Sequence, residues 1–395
     1  MWRVGLAWAG VVMAVAGCTA TESAPPSVST SVSTTTSTTM TSPPVPLALA
    51  LTPADRAADV APGEPVTVAA TGGRLTSVAV TGQDGRVVAG ALAADGGSWR
   101  STEVLGYGKT YTTTATGQDS QGKPSTSTST FTTVKPRRQV ALTMNPTDGQ
   151  KVGVGQPFAF YFDTAVADKA AAEKAIQVTA SPAAEGAFYW FSDKEVHWRP
   201  KDYWRSGTTV TVDAAIYGKS LGNGLFGRED RKATVTIGDA VVAVADGTTH
   251  QMTVTVNGVL ARTIPVSLGK KGHETPVGTY TVMSEHTDYT MDSSTYGVPS
   301  DSPAGYRTKV AVATRMSNSG IFYHSAPWSV RDQGVRNVSH GCINMSTENA
   351  AWLQSISAKG DVIAVQNSGG PALEPWDGLG DWQVPWPTWQ AGGKK

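Results

Sequence analysis

The chain has 395 residues carrying 32 basic and 32 acidic side chains, a net charge of zero that gives no footprint for a nucleic-acid partner. At about 150 residues per domain its length suggests roughly two to three domains. Its 42 glycines and 23 prolines, among abundant Thr, Ser and Val, favour strands and turns over long helices.

Residues 1–18 read as an export signal. Arg3 supplies the positive start, and the apolar run from Val4 to Val15 is too short to stay in a membrane as a spanning helix. Val15-Ala16-Gly17-Cys18 is similar to the lipobox at which bacterial lipoproteins are cleaved, which would leave Cys18 as a lipidated N-terminus. An ordinary signal peptide with an incidental cysteine is the other reading. Residues 19–45 form a Ser/Thr/Pro tract, densest from Ser27 to Met40, with little apolar surface to bury; it reads as an extended, disordered tether.

Over 46–137, short β-prone runs at 66–69, 77–80, 86–89, 111–114 and 130–133 alternate with Gly-Gly and Asp-Gly turns, the spacing of a small all-β sandwich. Pro136-Arg137-Arg138 marks a boundary. The segment 138–238 repeats the pattern with strands expected at 158–162 and 208–212, interrupted by a short helix at 169–176. Neither segment holds a catalytic constellation, and His197 beside Trp198 reads as half-buried packing rather than a ligand.

The segment 239–366 opens with runs at 251–256 and 259–266 flanking Asn257-Gly258, a β-hairpin with a type I′ turn. Further strands are expected at 278–283, 321–324 and 362–365. A helix is expected at 346–357, with Thr347 and Glu348 early and Ala351, Leu353 and Ile356 as a partial apolar face. In the tail, 367–395, Trp376, Trp382, Trp386 and Trp389 stand among prolines. That tail is too proline-rich for a regular element; its tryptophans are expected to dock it on the body, bridging to the second β-domain, with carbohydrate stacking as the alternative.

The chemistry concentrates in Ser339-His340-Gly341-Cys342-Ile343-Asn344. Cys342 is one of two cysteines, and Cys18 has a use of its own, so no disulfide is expected. An unpaired cysteine is either a small buried hydrophobe or a nucleophile with a base nearby. Acyl transfer by a thiol needs a thiolate, an oriented proton acceptor and N–H donors at the oxyanion. Gly341 permits an unusual turn that lets successive N–H groups converge. His324 ends the apolar run Ile321-Phe322-Tyr323, a strand whose end can aim an imidazole at a thiol on a later loop. The carbonyl or hydroxyl of Ser325 could hold one ring nitrogen so that the other faces the sulfur. His340 is too near Cys342 along the chain to be an obvious base, leaving pocket shaping or a structural role.

His324-Ser325-Ala326-Pro327-Trp328 followed by Ser339-His340-Gly341-Cys342-Ile343-Asn344 resembles the signature of the L,D-transpeptidases. Thr275-Pro276-Val277-Gly278-Thr279-Tyr280 is similar to the Thr-Pro-x-Gly-x-aromatic segment that precedes the site in that family. Met291-Asp292-Ser293-Ser294-Thr295-Tyr296-Gly297, continuing to Gly305-Tyr306-Arg307, resembles the substrate-covering lid of its mycobacterial members. The likeness runs from about residue 45 to the C-terminus and is most specific over 270–366.

The resemblance implies a mostly β protein: immunoglobulin-like β-sandwiches at 46–137 and 138–238, a β-rich catalytic domain with a short helix at 239–366, and a Trp-rich extension. It implies Cys342 as nucleophile, His324 as proton acceptor and later donor, Ser325 orienting His324, and oxyanion N–H groups from Gly341 and Cys342 helped by the Tyr306 hydroxyl. His340 joins that motif, and Met291, Tyr296, Tyr306, Ser319, Gly320 and Asn344 fall at substrate-contacting positions. The implied reaction takes a peptidoglycan tetrapeptide stem as acyl donor, releases D-Ala, and passes the acyl group to a neighbouring stem as a 3→3 cross-link. Carbapenems would acylate the same thiol. No cofactor is implied. No metal is either, because the loop Ser220-Leu221-Gly222-Asn223-Gly224 lacks the carboxylates that hold calcium in some relatives. The expected protein is monomeric, lipid-anchored through Cys18 at the outer face of the cytoplasmic membrane, and faces the cell wall. A cysteine endopeptidase or amidase of the wall, or a non-catalytic wall-binding lipoprotein, are the rival readings.

Overall fold

Alternating sequence patterns become successive β-bodies in a computed structural model that describes residues 45–302 and 305–394. Cys18, the lipidation candidate, lies outside the described residues. Among the described residues no helix is long and apolar enough to cross a membrane.

In the first body, strands Ala48–Thr52, Thr67–Thr71, Ser98–Ser101 and Gly90–Leu92 form one sheet and Gly73–Gly82, Thr110–Asp119 and Pro124–Thr132 another. The inward half of each alternation closes on Val66, Val68, Val80, Trp99, Leu105 and Phe131. The run 86–89 departs from expectation, since Val87 makes only a single bridge to Thr81. The Asp84 carboxylate accepts the Arg86 N–H at 3.1 Å, so that donor closes a turn instead of a ladder.

The second body pairs a sheet of Lys151–Val152, Arg231–Ile237, Thr209–Ala214 and Ile176–Ser181 with one of Gly186–Ser192, Glu195–Pro200, Phe158–Phe162 and Leu142–Asn145. Its short helix, Lys169–Ala175, starts where the Asp168 side chain accepts the Ala171 N–H at 2.9 Å. The first two bodies are joined by the Tyr107 hydroxyl, which donates to the Gly227 carbonyl, and the Tyr217 hydroxyl, which donates to the Leu105 carbonyl, each at 2.6 Å.

The third body holds a five-stranded sheet in the order Val259–Pro265, Gln251–Val256, Val241–Asp246, Val362–Gln366, Gly278–Thr281. Its hairpin turns through Asn257 (φ 53°) and Gly258 (φ 81°), the two left-handed residues a type I′ turn requires. A four-stranded sheet, Ser284–Asp292, Arg307–Arg315, Phe322–Ser325, Ile343–Met345, carries the functional motifs. Helix Thr347–Ile356 packs over it, capped by the Ser346 hydroxyl. Its buried residues are Ala350 and Leu353 with Ile356 half-buried, whereas Ala351, assigned to that face by sequence, is exposed. The spacing 350, 353, 356 follows the i, i+3 geometry that keeps one stripe toward the sheet.

Contact between the second and third bodies combines Val362, packed into the second body's core, with backbone bonds: the N–H groups of Gly153 and Gly155 donate to the Lys359 and Gly360 carbonyls, both at 2.8 Å. A Cβ at Gly153 would stand 2.1 Å from Asp361 Oδ1, so this approach requires glycine.

Two expectations about the tail and its surroundings need correction. The proline-rich tail does form a regular element, the helix Trp386–Gln390, because Pro385 and Pro387 occupy its cap and first turn, where no intrahelical N–H is needed. Trp389 is fully buried, stacked on Tyr189 of the second body at 4.8 Å, with its indole N–H donating to the Ala187 carbonyl. Trp376 instead stays 66% exposed. Nor is His197 half-buried packing. It is enclosed between carboxylates, with Nδ1 2.7 Å from Asp381 of the tail and Nε2 3.1 Å from Glu195. Burial pulls its pKa down, but Asp381 and Glu195 outweigh it and the imidazolium is pushed up to about 9. A half-buried reading failed because Asp381 stands 184 residues away in the chain.

Candidate active site

Cys342 precedes the last strand of the four-stranded sheet and is the free cysteine among the described residues. It is packed with Met291, Val310, Ala313 and Phe322, and Tyr289, Tyr296 and Tyr306 lie against this cluster. The thiol lies 3.5 Å from the Gly320 carbonyl. Burial pushes the thiol up to about 11, opposed by a hydrogen bond from the Phe322 N–H, so the resting group at neutral pH is a protonated thiol.

His324 sits on the adjoining strand. Parallel pairing of Phe322–Ser325 with Ile343–Met345 sets His324 opposite Asn344, two residues beyond the thiol. Its Nδ1 lies 3.0 Å from the Ser325 carbonyl. A carbonyl only accepts, so Nδ1 carries the proton and Nε2 keeps its lone pair. Of the two ways Ser325 could hold the ring, the carbonyl does so; its hydroxyl instead accepts the Val312 N–H at 3.2 Å. Burial holds the His324 pKa below the usual histidine range, against the opposing pull of the Ser325 carbonyl and the Asn344 side chain. The imidazole is therefore neutral, the form a proton acceptor needs.

His324 and Cys342 open onto one cavity of about 340 Å³, also lined by Met291, Tyr306, Trp328, His340 and Asn344. Burial raises the Tyr306 phenol well above its usual range, reinforced by the neighbouring thiol, so its hydroxyl stays a donor. His340 faces the cavity from the rim with Nε2 3.2 Å from Lys270 Nζ, and its pKa is held down first by burial and then by Lys270 and His273. Tyr296, Ser319 and Gly320 do not line this cavity. Gly320 meets the sulfur through its carbonyl, and the Tyr296 ring packs so closely on Gly320 that a Cβ there would stand 2.6 Å from it.

Gly341 makes the expected unusual turn, with φ 121°. Its N–H, expected at the oxyanion, is directed elsewhere: it donates to Ser339 Oγ at 3.1 Å, and that hydroxyl donates to the Cys342 carbonyl at 2.6 Å. A short polar side chain bonding its own loop's backbone has captured the donor. Thr275 secures the same loop by donating to the Gly341 carbonyl at 2.7 Å and accepting the Gly269 N–H at 3.0 Å. Sequence reasoning assigned no role to Thr275, Trp328 or Ser329, although the first two lie inside the motifs it used. Ser329 accepts from the Asn344 amide at 3.1 Å and so fixes that side chain. Among the described residues no group of three or more His, Cys, Asp or Glu side chains is gathered as for a metal ion.

Immunoglobulin-like β-bodies followed by a domain that sets a buried thiol and an oriented neutral imidazole on one cavity define a cysteine acyltransferase architecture. Residues 240–365 match the family model described as the L,D-transpeptidase catalytic domain, and residues 57–220 match the bacterial Ig domain. The chain is 47% identical over 341 residues to L,D-transpeptidase 2 of Mycobacterium tuberculosis, covering 86% of this chain and 83% of that protein. It is 37% identical over 356 residues to L,D-transpeptidase 5 of the same species, covering 88% and 77%. The solved structure of LD transpeptidase LdtMt1 in complex with imipenem matches with a TM-score of 0.51 and 39% identity, covering 58% of this chain and 99% of that one. The chain belongs to the L,D-transpeptidase family and is a transpeptidase enzyme.

Proposed function

We propose that this transpeptidase builds 3→3 cross-links in peptidoglycan through a thioester on Cys342. The observation that carries this reading is the His324 ring, its Nδ1 proton held by the Ser325 carbonyl and its other nitrogen unprotonated, on the same cavity as a buried thiol. Because the thiol rests protonated and the imidazole neutral, the proton leaves Sγ for His324 as the sulfur attacks, with no standing ion pair. The carbonyl attacked joins the L-centre of a diamino acid to the terminal D-Ala of a tetrapeptide stem. As the S–C bond forms, the carbonyl oxygen gathers charge, and the Cys342 N–H with the Tyr306 hydroxyl serves as its donor set. Collapse breaks the C–N bond, and D-Ala leaves with the proton held by His324. The amine of a neighbouring stem then attacks the thioester, gives its proton to His324, and releases the thiol. Water in place of that amine gives an L,D-carboxypeptidase.

Met291, Tyr306 and Asn344 contact the stem in this scheme, and His340 shapes the rim. Ser319, Gly320 and Tyr296, the other stem contacts of this scheme, lie off that cavity, Gly320 meeting the sulfur through its carbonyl and Tyr296 packing on Gly320. Carbapenems act as acyl donors to the same sulfur, in line with a relative studied in complex with imipenem. An N-terminal export signal and lipid on Cys18 would hold the enzyme, as a monomer, at the outer face of the cytoplasmic membrane. Intact mass of the protein from residue 45 onward, with and without a carbapenem, tests the chemistry. A single adduct that disappears in Cys342→Ala supports it, and no adduct on folded wild-type protein rejects it.

A further inference from the structure

The loop 317–320 joins strand Arg307–Arg315 to strand Phe322–Ser325 and ends in the carbonyl that meets the Cys342 sulfur. The turn is closed locally by the Met316 N–H, which donates to the Ile321 carbonyl at 2.9 Å, with Gly320 at φ 94°. A further fixing group comes from the C-terminal extension. Asp377 Oδ1 accepts the Ser319 N–H at 2.7 Å and Oδ2 accepts the Ser319 hydroxyl at 2.5 Å. A two-pronged, charge-assisted contact of this kind sets both the position and the orientation of its partner. The order continues inward: Ser317 Oγ is 2.9 Å from Ser319 Oγ and accepts the Ile321 N–H at 3.0 Å. From the other side the Arg315 guanidinium donates to the Ser317 and Asn318 carbonyls at 2.9 and 3.1 Å.

Asp377 is not on a loose end. A Cβ on its neighbour Gly378 would stand 3.2 Å from Ser317 Cα, so the backbones are in close contact. The Leu379 carbonyl accepts the Thr281 hydroxyl at 2.6 Å, and Asp381 is locked on His197 of the second body. The carboxylate is thus held by a segment anchored on both the catalytic sheet and the second β-body.

We propose that Asp377 is a positioning residue of the transpeptidase reaction, acting through Ser319 and Gly320 to set the Cys342 sulfur. This rests on Cys342 being the nucleophile. At rest the Gly320 carbonyl accepts a hydrogen bond from the thiol and so sets the sulfur before its proton passes to His324, and a shift of the loop misdirects the attack while loosening the hold on the protonated thiol.

The test uses the protein from residue 45 onward, which forms one compact unit, as wild type, Asp377→Ala, Asp377→Asn and Cys342→Ala. Two rates are read: carbapenem acylation by intact mass, and iodoacetamide alkylation as a function of pH. Asp377→Ala is expected to slow acylation about 10-fold, equivalent to about 1.4 kcal/mol, and to move the alkylation midpoint to lower pH. Asp377→Asn, which can still accept the Ser319 N–H and donate to its hydroxyl, is expected to restore both readings to within about threefold of wild type. Acylation of Asp377→Ala at the wild-type rate overturns the proposal, as does an Asn variant that falls as far as the Ala one. Should Asp377→Ala not fold, Asp377→Glu is read in its place. A lengthened carboxylate that displaces the loop slows acylation, and an unchanged rate overturns the proposal. If wild-type protein takes no adduct, or Cys342→Ala takes one, the nucleophile assignment fails first. If both controls behave and Asp377→Ala matches wild type, only the positioning role is lost.

Discussion

Two histidines of this enzyme are almost completely enclosed and rest in opposite charge states. His324 meets only a carbonyl and an amide, so burial prevails and the ring stays neutral. His197 meets Asp381 and Glu195, so its carboxylate partners prevail and the ring stays protonated up to about pH 9. The same side chain at the same depth becomes a proton acceptor in one place and a structural cation in the other. What differs is whether the enclosing shell contains negative charge.

The comparison breaks first at the catalytic end. Replacing His324 with Gln removes the proton acceptor and is expected to lower kcat/KM for acylation by roughly 10²- to 10⁴-fold, with the thermal midpoint little changed. Equal losses of stability and rate would place His324 with the structural histidine instead.

Next comes the structural end. His197→Leu leaves Asp381 buried without its cation and is expected to cost about 3–5 kcal/mol, read by denaturant unfolding. Trp389→Ala, which empties a fully buried site, belongs in the same range of about 3–5 kcal/mol. The His197 variant should retain measurable acylation under conditions where it is folded, which separates it from His324→Gln.

The pH dependence is smaller and has a definite sign. Between the ordinary histidine value of 6.5 and about 9 the folded protein holds a proton on His197 that the unfolded chain has released. That contribution to stability is complete below the lower value and is lost as pH rises through the upper one. Thermal midpoints of wild type and His197→Leu should therefore converge with rising pH across this window, and a constant gap would refute a charged His197. For the thiol, alkylation by iodoacetamide should stay slow at neutral pH and climb toward pH 11 in the absence of substrate, since burial holds it protonated up to about 11. A rate already at its plateau near neutrality would instead indicate a preformed thiolate.

The smallest effect is expected at Trp376. Being 66% exposed, its replacement by Ala should change stability by no more than about 0.5 kcal/mol, in contrast to Trp389 on the same tail.

Features governed by local geometry were readable from the chain alone. Asn257-Gly258 supplies two left-handed residues and therefore a tight hairpin, the short helix expected at 169–176 forms as Lys169–Ala175, and the unbroken apolar run Phe158–Phe162 is a strand. The order of His324, Ser325, Gly341 and Cys342 carries the family's chemistry within a few tens of residues, which is why the family was legible there. Misreadings arose where a partner came from elsewhere or a local side chain intervened. The apolar face of the last catalytic helix was assigned to Ala351 because its periodicity is weak, whereas packing on the sheet selected Ala350. The Gly341 N–H was captured by Ser339 two residues away, a competition that backbone freedom alone does not reveal.

The β-rich architecture, the turn chemistry and the thiol–imidazole motif are legible in the residues, because these follow from dihedral preference, side-chain alternation and residue type over short spans. Tertiary structure alone decided which carboxylates meet which groups: Asp381 with His197 across 184 residues, and Asp377 with Ser319 across 58. Charge state and loop position depend on dielectric and on partners at ångström range, and folding brings those partners from parts of the chain that sequence spacing does not connect.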